Sequence, residues 1–186
     1  HQADPTFSFT VTKDGIQKRA NTKRSCTQKK AAKGYSAAEI FKALGAKFDE
    51  NKQIHWAHRQ GHLMGGKQAL ENLDPATAGS NYTTLFYIES VISTLLVKEN
   101  ISEVYVSGDI SYHDTHKKLP EKITYTCCWG NDLMIKKDIY PLSPRVPTVI
   151  ENKVAKALAT TMTFFKGVQQ QETSSNNKDQ FIRKIN

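Results

Sequence analysis

Alternating and helical patterns of apolar residues divide this chain into strands and helices. Strict alternation of apolar and polar positions predicts strands, and an apolar face repeating every three or four residues predicts a helix. Strands are predicted at residues 6–12, 54–58, 72–75, 101–110, 122–129 and 133–137, and the last two flank a Gly-Asn-Asp turn typical of a hairpin. A long helix is predicted over residues 83–98.

Two further helices are indicated by capping boxes, in which Ser or Thr precedes Glu by three positions. Ser36 and Glu39 open a short helix over residues 36–44, with Ile40, Phe41 and Leu44 expected on its buried side. Thr148 and Glu151 open a C-terminal helix over 148–166. Residues 16–34 are polar without periodicity, which predicts a loop or an irregular arm.

These elements predict an α+β fold in a single domain spanning residues 1–168. Its parts are a basic N-terminal segment at 13–33, a ββα core at 54–98, a sheet at 101–137 and the C-terminal helix at 148–166. Residues 169–186 form a polar tail that we expect to be disordered. No run of 18 apolar residues occurs, so no membrane span is expected.

Positive charge is concentrated in the first part of the chain. Residues 1–70 carry 13 Lys or Arg against 5 Asp or Glu, whereas the remainder carries 13 against 13. A one-sided basic segment suits a polyanion, although a solvated lysine-rich surface explains the charge equally well. If the partner is nucleic acid, the expected contacts are Lys18, Arg19, Lys23, Arg24 and Lys67.

Three cysteines are too few to form a disulfide framework. Cys127 and Cys128 are adjacent on a predicted strand, so their side chains face opposite ways. The sequence is compatible with a disulfide between Cys26 and one of these two cysteines, and equally with three free thiols.

Three polar residues in the stretch from His55 to Glu89 have the chemistry of phosphodiester cleavage. His62 lies in a glycine-flanked turn, where a neutral imidazole is available as a base near pH 7. The amide oxygen of Asn81 suits Mg²⁺, which keeps most of its waters. Glu89 follows eight residues later, about 80° round the same helix, where it can orient water.

The residues that carry a resemblance are Arg59-Gln-Gly-His-Leu63, Glu71-Asn-Leu-Asp-Pro75, Ser80-Asn81 and Glu89. In their order and spacing they resemble the DNA/RNA non-specific endonucleases of the ββα-metal (His-Me finger) superfamily. The metal-ligand Asn of that family follows the first Asn by nine residues and precedes a Glu by eight. Asn72, Asn81 and Glu89 keep both intervals.

The resemblance implies a ββα-metal core on an antiparallel sheet with flanking helices. It implies a Mg²⁺-dependent, sequence-tolerant nuclease, with Mn²⁺ as an expected substitute ion. His62 is then the general base, and Asn81 is the single direct protein ligand of the metal. Glu89 holds metal-bound water, and Asn72 fixes the geometry of the His62 turn.

The chain departs from the family pattern within the turn. Arg59 stands where the family has Asp, and Gln60 stands where it has the Arg expected to neutralise the phosphate. We expect Arg59 or Lys67 to supply that charge, which makes Arg59 a candidate catalytic residue.

Other interpretations of the same residues stay open. Asn81 fits a helix N-cap, and Glu89 fits a solvated helix charge. His55, His58 and His62 have an HxxHxxxH spacing that suggests zinc, although no fourth ligand stands near. The alternative functions are a basic nucleic-acid-binding module with a degenerate site, and a sugar-non-specific RNase toxin.

The resemblance also implies a biological setting. Such domains are often secreted nucleases or toxins delivered into a target cell, so we expect a bacterial origin and an acidic immunity protein or inhibitor as partner. Asn81-Tyr-Thr83 is a glycosylation sequon. Because a glycan there would block the expected metal site, the sequon favours a bacterial over a eukaryotic secretory route.

Overall fold

A computed structural model describes residues 4–45, 53–130 and 132–166 of the chain. It has an α+β fold in which helices flank an antiparallel sheet, as the sequence predicts. The strands are β1 (Thr6–Thr12), β2 (Ile54–His58), β3 (Leu73–Thr77), β4 (Glu103–Tyr112), β5 (Pro120–Trp129) and β6 (Leu133–Ile139). The helices are α1 (Lys13–Ala20), α2 (Gln28–Ala31), α3 (Ala37–Ala43), α4 (78–98) and α5 (149–166), with 3-10 turns at His62–Met64 and Leu70–Asn72.

The main sheet has four antiparallel strands in the order β1-β4-β5-β6. The register aligns Phe9 with Val106, Val106 with Cys127, and Cys127 with Ile135, so one face of the sheet is continuously apolar. The opposite face carries mostly Thr, Ser and charged side chains. This division between two faces is typical of an antiparallel sheet with one side on the core.

A second, two-stranded ladder stands apart from the main sheet. Strands β2 and β3 are antiparallel, with Trp56 opposite Pro75 and His58 opposite Leu73. Helix α4 follows β3 directly. The predicted succession of two strands and a helix is therefore present, and the connection between the two strands contains His62.

Helix α4 joins this ββα unit to the main sheet through the hydrophobic core. Its residues Ile92, Leu95 and Leu96 are fully buried and lie in one cluster with the inner face of the sheet. Ala155 and Ala159 of α5 belong to the same cluster. The helix is consequently held rigidly over most of its length, because closely packed interiors resist displacement.

The start and the internal geometry of α4 differ from the prediction. The helix begins at Ala78, not residue 83, because the side chain of Thr77 caps it by accepting a hydrogen bond from the Ser80 N–H at 3.2 Å. Asn81 is therefore not the N-cap. Two π-helical stretches, Leu85–Glu89 and Thr94–Lys98, interrupt the α-helical hydrogen bonding. Such turns are frequent at functional sites.

Part of the basic segment, expected to be irregular, is helical in the structure. In α1 the Thr12 side chain accepts the Gly15 N–H at 2.9 Å, and Asp14 pairs with Lys18 at 2.9 Å. Ile16 is buried in the core. Capping and one buried apolar side chain outweigh the missing periodicity in so short a helix.

Both predicted capping boxes are confirmed. The Ser36 and Glu39 side chains each accept the other's backbone N–H, at 3.2 and 2.7 Å. The Thr148 and Glu151 side chains do the same, also at 3.2 and 2.7 Å. Of the three residues expected on the buried side of α3, Phe41 is fully buried, whereas Ile40 and Leu44 are half-buried.

All three cysteines are free thiols in the structure. Cys127 faces the core, while Cys128 faces the opposite side of the sheet. The predicted polar tail at 169–186 lies outside the described residues. Among the helices of the described ranges, none has the length and apolarity that crossing a membrane would require.

Truncation of the α4 contact should measure how strongly the helix is attached to the sheet. Leu95→Ala removes a fully buried side chain, and we expect it to lower the free energy of unfolding by about 2–5 kcal/mol. Leu85→Ala, in the same helix but 42% exposed, is the matched control. Urea denaturation measures both variants, and equal losses would contradict the assigned packing.

Candidate active site

The connection after β2 is an irregular turn held by the side chain of Asn72. The Asn72 Oδ1 accepts the backbone N–H of Gln60 at 2.9 Å. Its Nδ2 donates to the carbonyls of Gln60 and Lys67, each at 2.8 Å. A single carboxamide therefore ties both ends of the turn that presents His62. Irregular backbone needs such partners because its own N–H and C=O groups are not paired by a ladder.

A second tether comes from Arg19 at the end of α1. Its Nε donates to the carbonyl of His62 at 2.9 Å, and its Nη2 donates to the carbonyl of Gly66 at 2.7 Å. Contrary to the expectation of a phosphate contact, this guanidinium binds the backbone of the turn. Its charge-assisted hydrogen bonds fix the turn against the N-terminal segment.

The imidazole of His62 has one nitrogen bound by Thr22. Its Nε2 lies 3.1 Å from the Thr22 carbonyl oxygen and 3.3 Å from the Thr22 hydroxyl. The carbonyl can only accept, and the hydroxyl already donates to the carbonyl of Arg19 at 2.8 Å. The Nε2 must therefore carry the proton. Nδ1, which has no protein partner in the described residues, keeps its lone pair and can act as a base.

Glu89 lies directly against the turn because Gly61 has no side chain. A Cβ placed on Gly61 would stand 1.6 Å from the Glu89 Oε1. Burial raises the pKa of the Glu89 carboxyl, and the positive charge of Arg24 partly opposes that rise. The structure thus brings Glu89 beside the residue preceding His62, and any larger residue at position 61 would displace it.

Asn81 contacts the neighbouring strand and not the turn. Its Nδ2 lies 3.4 Å from the Nδ1 of His55 on β2, and the rings of His55 and Tyr82 meet edge to face. Asn81 and Glu89 consequently both lie on the side of α4 that faces β2 and the connection after it. No direct contact joins Asn81 to His62 in the described residues.

The three histidines suggested as zinc ligands have separate partners. His55 lies by Asn81, His62 is bound to Thr22, and the Nε2 of His58 is 2.6 Å from the Gln68 Oε1. Within ranges 4–45, 53–130 and 132–166, no group of three or more His, Cys, Asp or Glu side chains could hold a metal. The described structure therefore contains no HxxHxxxH zinc cluster.

Arg59 does not occupy the position expected of a phosphate ligand. Its Nε and Nη2 bind the two carboxylate oxygens of Asp74 at 2.8 and 2.9 Å, and the side chains are only 11% and 7% exposed. The Tyr125 hydroxyl donates to the Arg59 carbonyl at 2.8 Å. Arg59, expected to be a catalytic residue, therefore has its buried charge already neutralised by a carboxylate.

The other expected cations differ in their freedom to bind substrate. Lys18 is exposed but paired with Asp14, whereas Lys23 and Lys67 are exposed side chains. Lys67 lines a cleft of about 330 Å³ together with Asn72 and Phe7. Gln60, which replaces the arginine of the family pattern, donates its amide to the carbonyl of Met64 at 2.6 Å.

The donors available to a cation favour a hydrated ion. Asn81 offers a neutral amide oxygen, and Glu89 offers a carboxylate that has no ion-pair partner within 4 Å in the described residues. One amide and one carboxylate cannot fill an octahedron, so water must complete the shell of any ion bound there. Asn81 and Glu89 therefore fit the sparse protein ligation that the sequence implied.

Several residues that shape this site have no distinguishing sequence signal. Thr22 acts on His62 through its backbone carbonyl, which any residue carries. Arg19 contacts the turn across 43 positions of sequence. The pairing of Arg59 with Asp74 likewise depends on the β2–β3 register, which sets Ala57 opposite Asp74 and brings Arg59 within reach.

Comparisons with known proteins yield a distant structural likeness. No family model matches the chain, and no curated protein sequence matches it. A solved structure described as the Sda1 nuclease with a bound zinc ion matches with a TM-score of 0.54 at 13% identity. The match covers 75% of this chain and 71% of that chain. At this identity the likeness is one of fold.

Loss of the buried ion pair should destabilise the protein much more than loss of an exposed one. Asp74→Asn leaves the Arg59 charge buried without a counter-ion, and we expect a loss of about 3–5 kcal/mol. Asp14→Asn breaks the exposed Lys18 pair, which solvent screens, and should change the stability very little. Chemical denaturation distinguishes them. Equal small effects would mean that Arg59 finds water or another partner.

The stability contributed by Glu89 should depend on pH. Because its pKa is raised in the folded state, folding favours the protonated carboxyl, and this favourable term is lost as pH rises through the folded pKa. In EDTA, Glu89→Gln should therefore be more stable than wild type at pH 8. The difference should vanish near pH 4, where the carboxyl of the unfolded chain is also protonated.

Thermal unfolding at both pH values measures this difference, with the exposed Glu103→Gln as control. A Glu89→Gln protein that is less stable than wild type at pH 8 would show that the structure stabilises the ionised carboxylate.

Proposed function

We propose that this chain is a metal-dependent nuclease that hydrolyses phosphodiester bonds in DNA, RNA or both without sequence preference. The observation that carries the proposal is the contact made by the His62 ring, whose Nε2 is bound by Thr22 while Nδ1 has no partner among the described residues, in a turn that lies against Glu89 at Gly61. A fold shared with a nuclease supports the same conclusion. The resemblance to ββα-metal endonucleases supplies the assignment of roles.

In this proposal His62 removes a proton from the attacking water through Nδ1. The Thr22 carbonyl then stabilises the imidazolium, since its hydrogen bond to the Nε2 proton strengthens when the ring becomes charged. Asn72 and Arg19 keep the ring in place by holding the backbone of the turn. Rigid positioning matters because small misplacements of a base lower the rate substantially.

Asn81 and Glu89 are the residues proposed to hold the divalent cation and its waters. A bound cation would stabilise the negative charge that develops on the phosphate and on the leaving oxygen. We propose Mg²⁺ for its preference for oxygen donors and retained water, with Mn²⁺ as a substitute. Because the similar nuclease is described with zinc, the identity of the ion needs a direct test.

Exposed cations of the basic segment are proposed to bind the substrate backbone. Lys23 and Arg24 are exposed near the Thr22 contact with His62, and Lys67 follows the turn. Contacts to phosphate carry no sequence information, which agrees with a sequence-tolerant enzyme. The resemblance further suggests secretion or delivery into a target cell by a bacterium, with an acidic immunity protein or inhibitor as partner.

One observation favours a second candidate function, a nucleic-acid-binding domain with an inactive site. The turn has no free arginine, since Arg59 is paired with Asp74 and Gln60 is neutral. A protein of this kind would bind nucleic acid without cleaving it.

Digestion of supercoiled plasmid and of total RNA distinguishes the two functions. We expect cleavage with Mg²⁺ and none with EDTA, and a loss of at least about 100-fold in His62→Ala because the general base is removed. His113→Ala, in an exposed loop, is the control and should retain activity. Parallel reactions with Mn²⁺ and Zn²⁺ identify the ion.

Cleavage that persists in His62→Ala would mean that another group is the base. Binding without cleavage under all metal conditions would favour the second candidate function, and cleavage of RNA alone would identify a ribonuclease.

A further inference from the structure

Three of the four arginines in the described ranges are committed to protein groups. Arg19 binds two backbone carbonyls, Arg59 binds Asp74, and Arg145 binds Glu151. Arg24 is exposed and has no hydrogen bond or ion pair with any described residue. It is therefore the described arginine whose guanidinium is available to a ligand.

The chain on both sides of Arg24 is attached to the candidate active site. Two residues before it, Thr22 binds the imidazole of His62. Two residues after it, the Cys26 thiol lies 4.0 Å from the carbonyl of Gln68, whose side chain binds His58. The backbone at Arg24 therefore runs along the edge of the site between His62 and Gln68.

Electrostatic effects agree with this location. Burial is the main cause that lowers the pKa of His58; Gln68 opposes the shift, and the charges of Arg24 and His62 add to it. The Arg24 charge therefore acts on the end of β2, next to the turn that contains His62.

We propose that Arg24 is a catalytic residue that contacts the scissile phosphate and replaces the arginine missing from the turn. The assignment rests on the proposed nuclease function. Hydrolysis forms a bond between the water oxygen and phosphorus and breaks the bond to the leaving oxygen. His62 receives the proton of the attacking water, and the leaving oxygen takes a proton from solvent water. Arg24 stays protonated throughout, and its two terminal N–H groups bind the non-bridging oxygens, whose charge increases in the transition state.

Arginine suits this role better than the neighbouring lysines. Its planar guanidinium presents parallel N–H groups that match two phosphate oxygens, whereas an ammonium acts as a point charge. Because the interaction strengthens with the charge on those oxygens, it should raise the turnover number more than the affinity for substrate.

The test compares Arg24→Gln and Arg24→Lys with wild type on one defined oligonucleotide duplex. With Mg²⁺, we expect Arg24→Gln to lower kcat by about 100- to 1000-fold, as loss of a transition-state donor does. Arg24→Lys should recover part of this loss. In EDTA, where the duplex stays intact, the Kd of Arg24→Gln should rise by less than about tenfold, which is the effect of one phosphate contact.

Two lysine variants separate catalysis from general electrostatics. Lys23→Gln, beside Arg24, should raise the Kd for the duplex. It should also lower the dependence of that Kd on salt concentration by about one phosphate contact, without a large loss in kcat. Lys136→Gln, exposed on the opposite face of the sheet, removes the same charge far from the site and should match wild type.

The assignment is overturned if Arg24→Gln keeps the wild-type kcat, or if its entire loss appears in KM and in the Kd measured with EDTA. Circular dichroism and thermal unfolding establish that the variant is folded. Wild-type protein that binds the duplex but never cleaves it would refute the nuclease function itself, and the role of Arg24 with it. If the wild type cleaves the duplex and Arg24→Gln cleaves it with the same kcat, only the role of Arg24 is refuted.

Discussion

The structure depends on satisfying the backbone of the irregular turn between β2 and β3. This turn has no ladder partner, yet it must hold a histidine in one orientation. Its carbonyl and N–H groups are bound from two sides, by the carboxamide of Asn72 and by the guanidinium of Arg19. A third contact, from Thr22, selects which imidazole nitrogen is protonated. The N-terminal segment is thus part of the site's framework as well as a charged surface.

Packing of α4 determines what can face that turn. The helix is fixed to the sheet by fully buried residues such as Leu95, so its opposite side is held at a constant distance from the β2–β3 hairpin. Glu89 uses the space left by the absent side chain of Gly61. Burying this carboxyl costs free energy, and a cation or ordered water bound beside it would offset that cost. Helix packing and the chemistry of the site are therefore linked through one glycine.

The arginines show how similar side chains acquire different roles. Arg59 is buried against Asp74 and stabilises the hairpin, and Arg19 organises the backbone of the turn. Arg24 lies in the same segment as Arg19 but projects without a partner among the described residues. In sequence all three are simply basic residues near the expected motif. Their roles follow from the partners that the fold places within reach.

The sequence by itself determined the features that depend on local periodicity and spacing. The strands of the main sheet, both capping boxes and the order of two strands followed by a helix were predictable, because alternation and capping act within a few residues. Helix α1 and the true start of α4 were missed, since Thr12 and Thr77 cap them without a strong hydrophobic pattern.

Only the tertiary structure decided which charges are free and which nitrogen of His62 is left without a protein partner. The partners of Arg19, Arg59 and His62 lie 15 to 47 residues away along the chain. Contacts at such separations depend on how the sheet, the hairpin and α4 pack together, which no local pattern encodes. The chemical groups of the candidate site were therefore visible in the sequence, whereas their division into structural and reactive groups was set by packing.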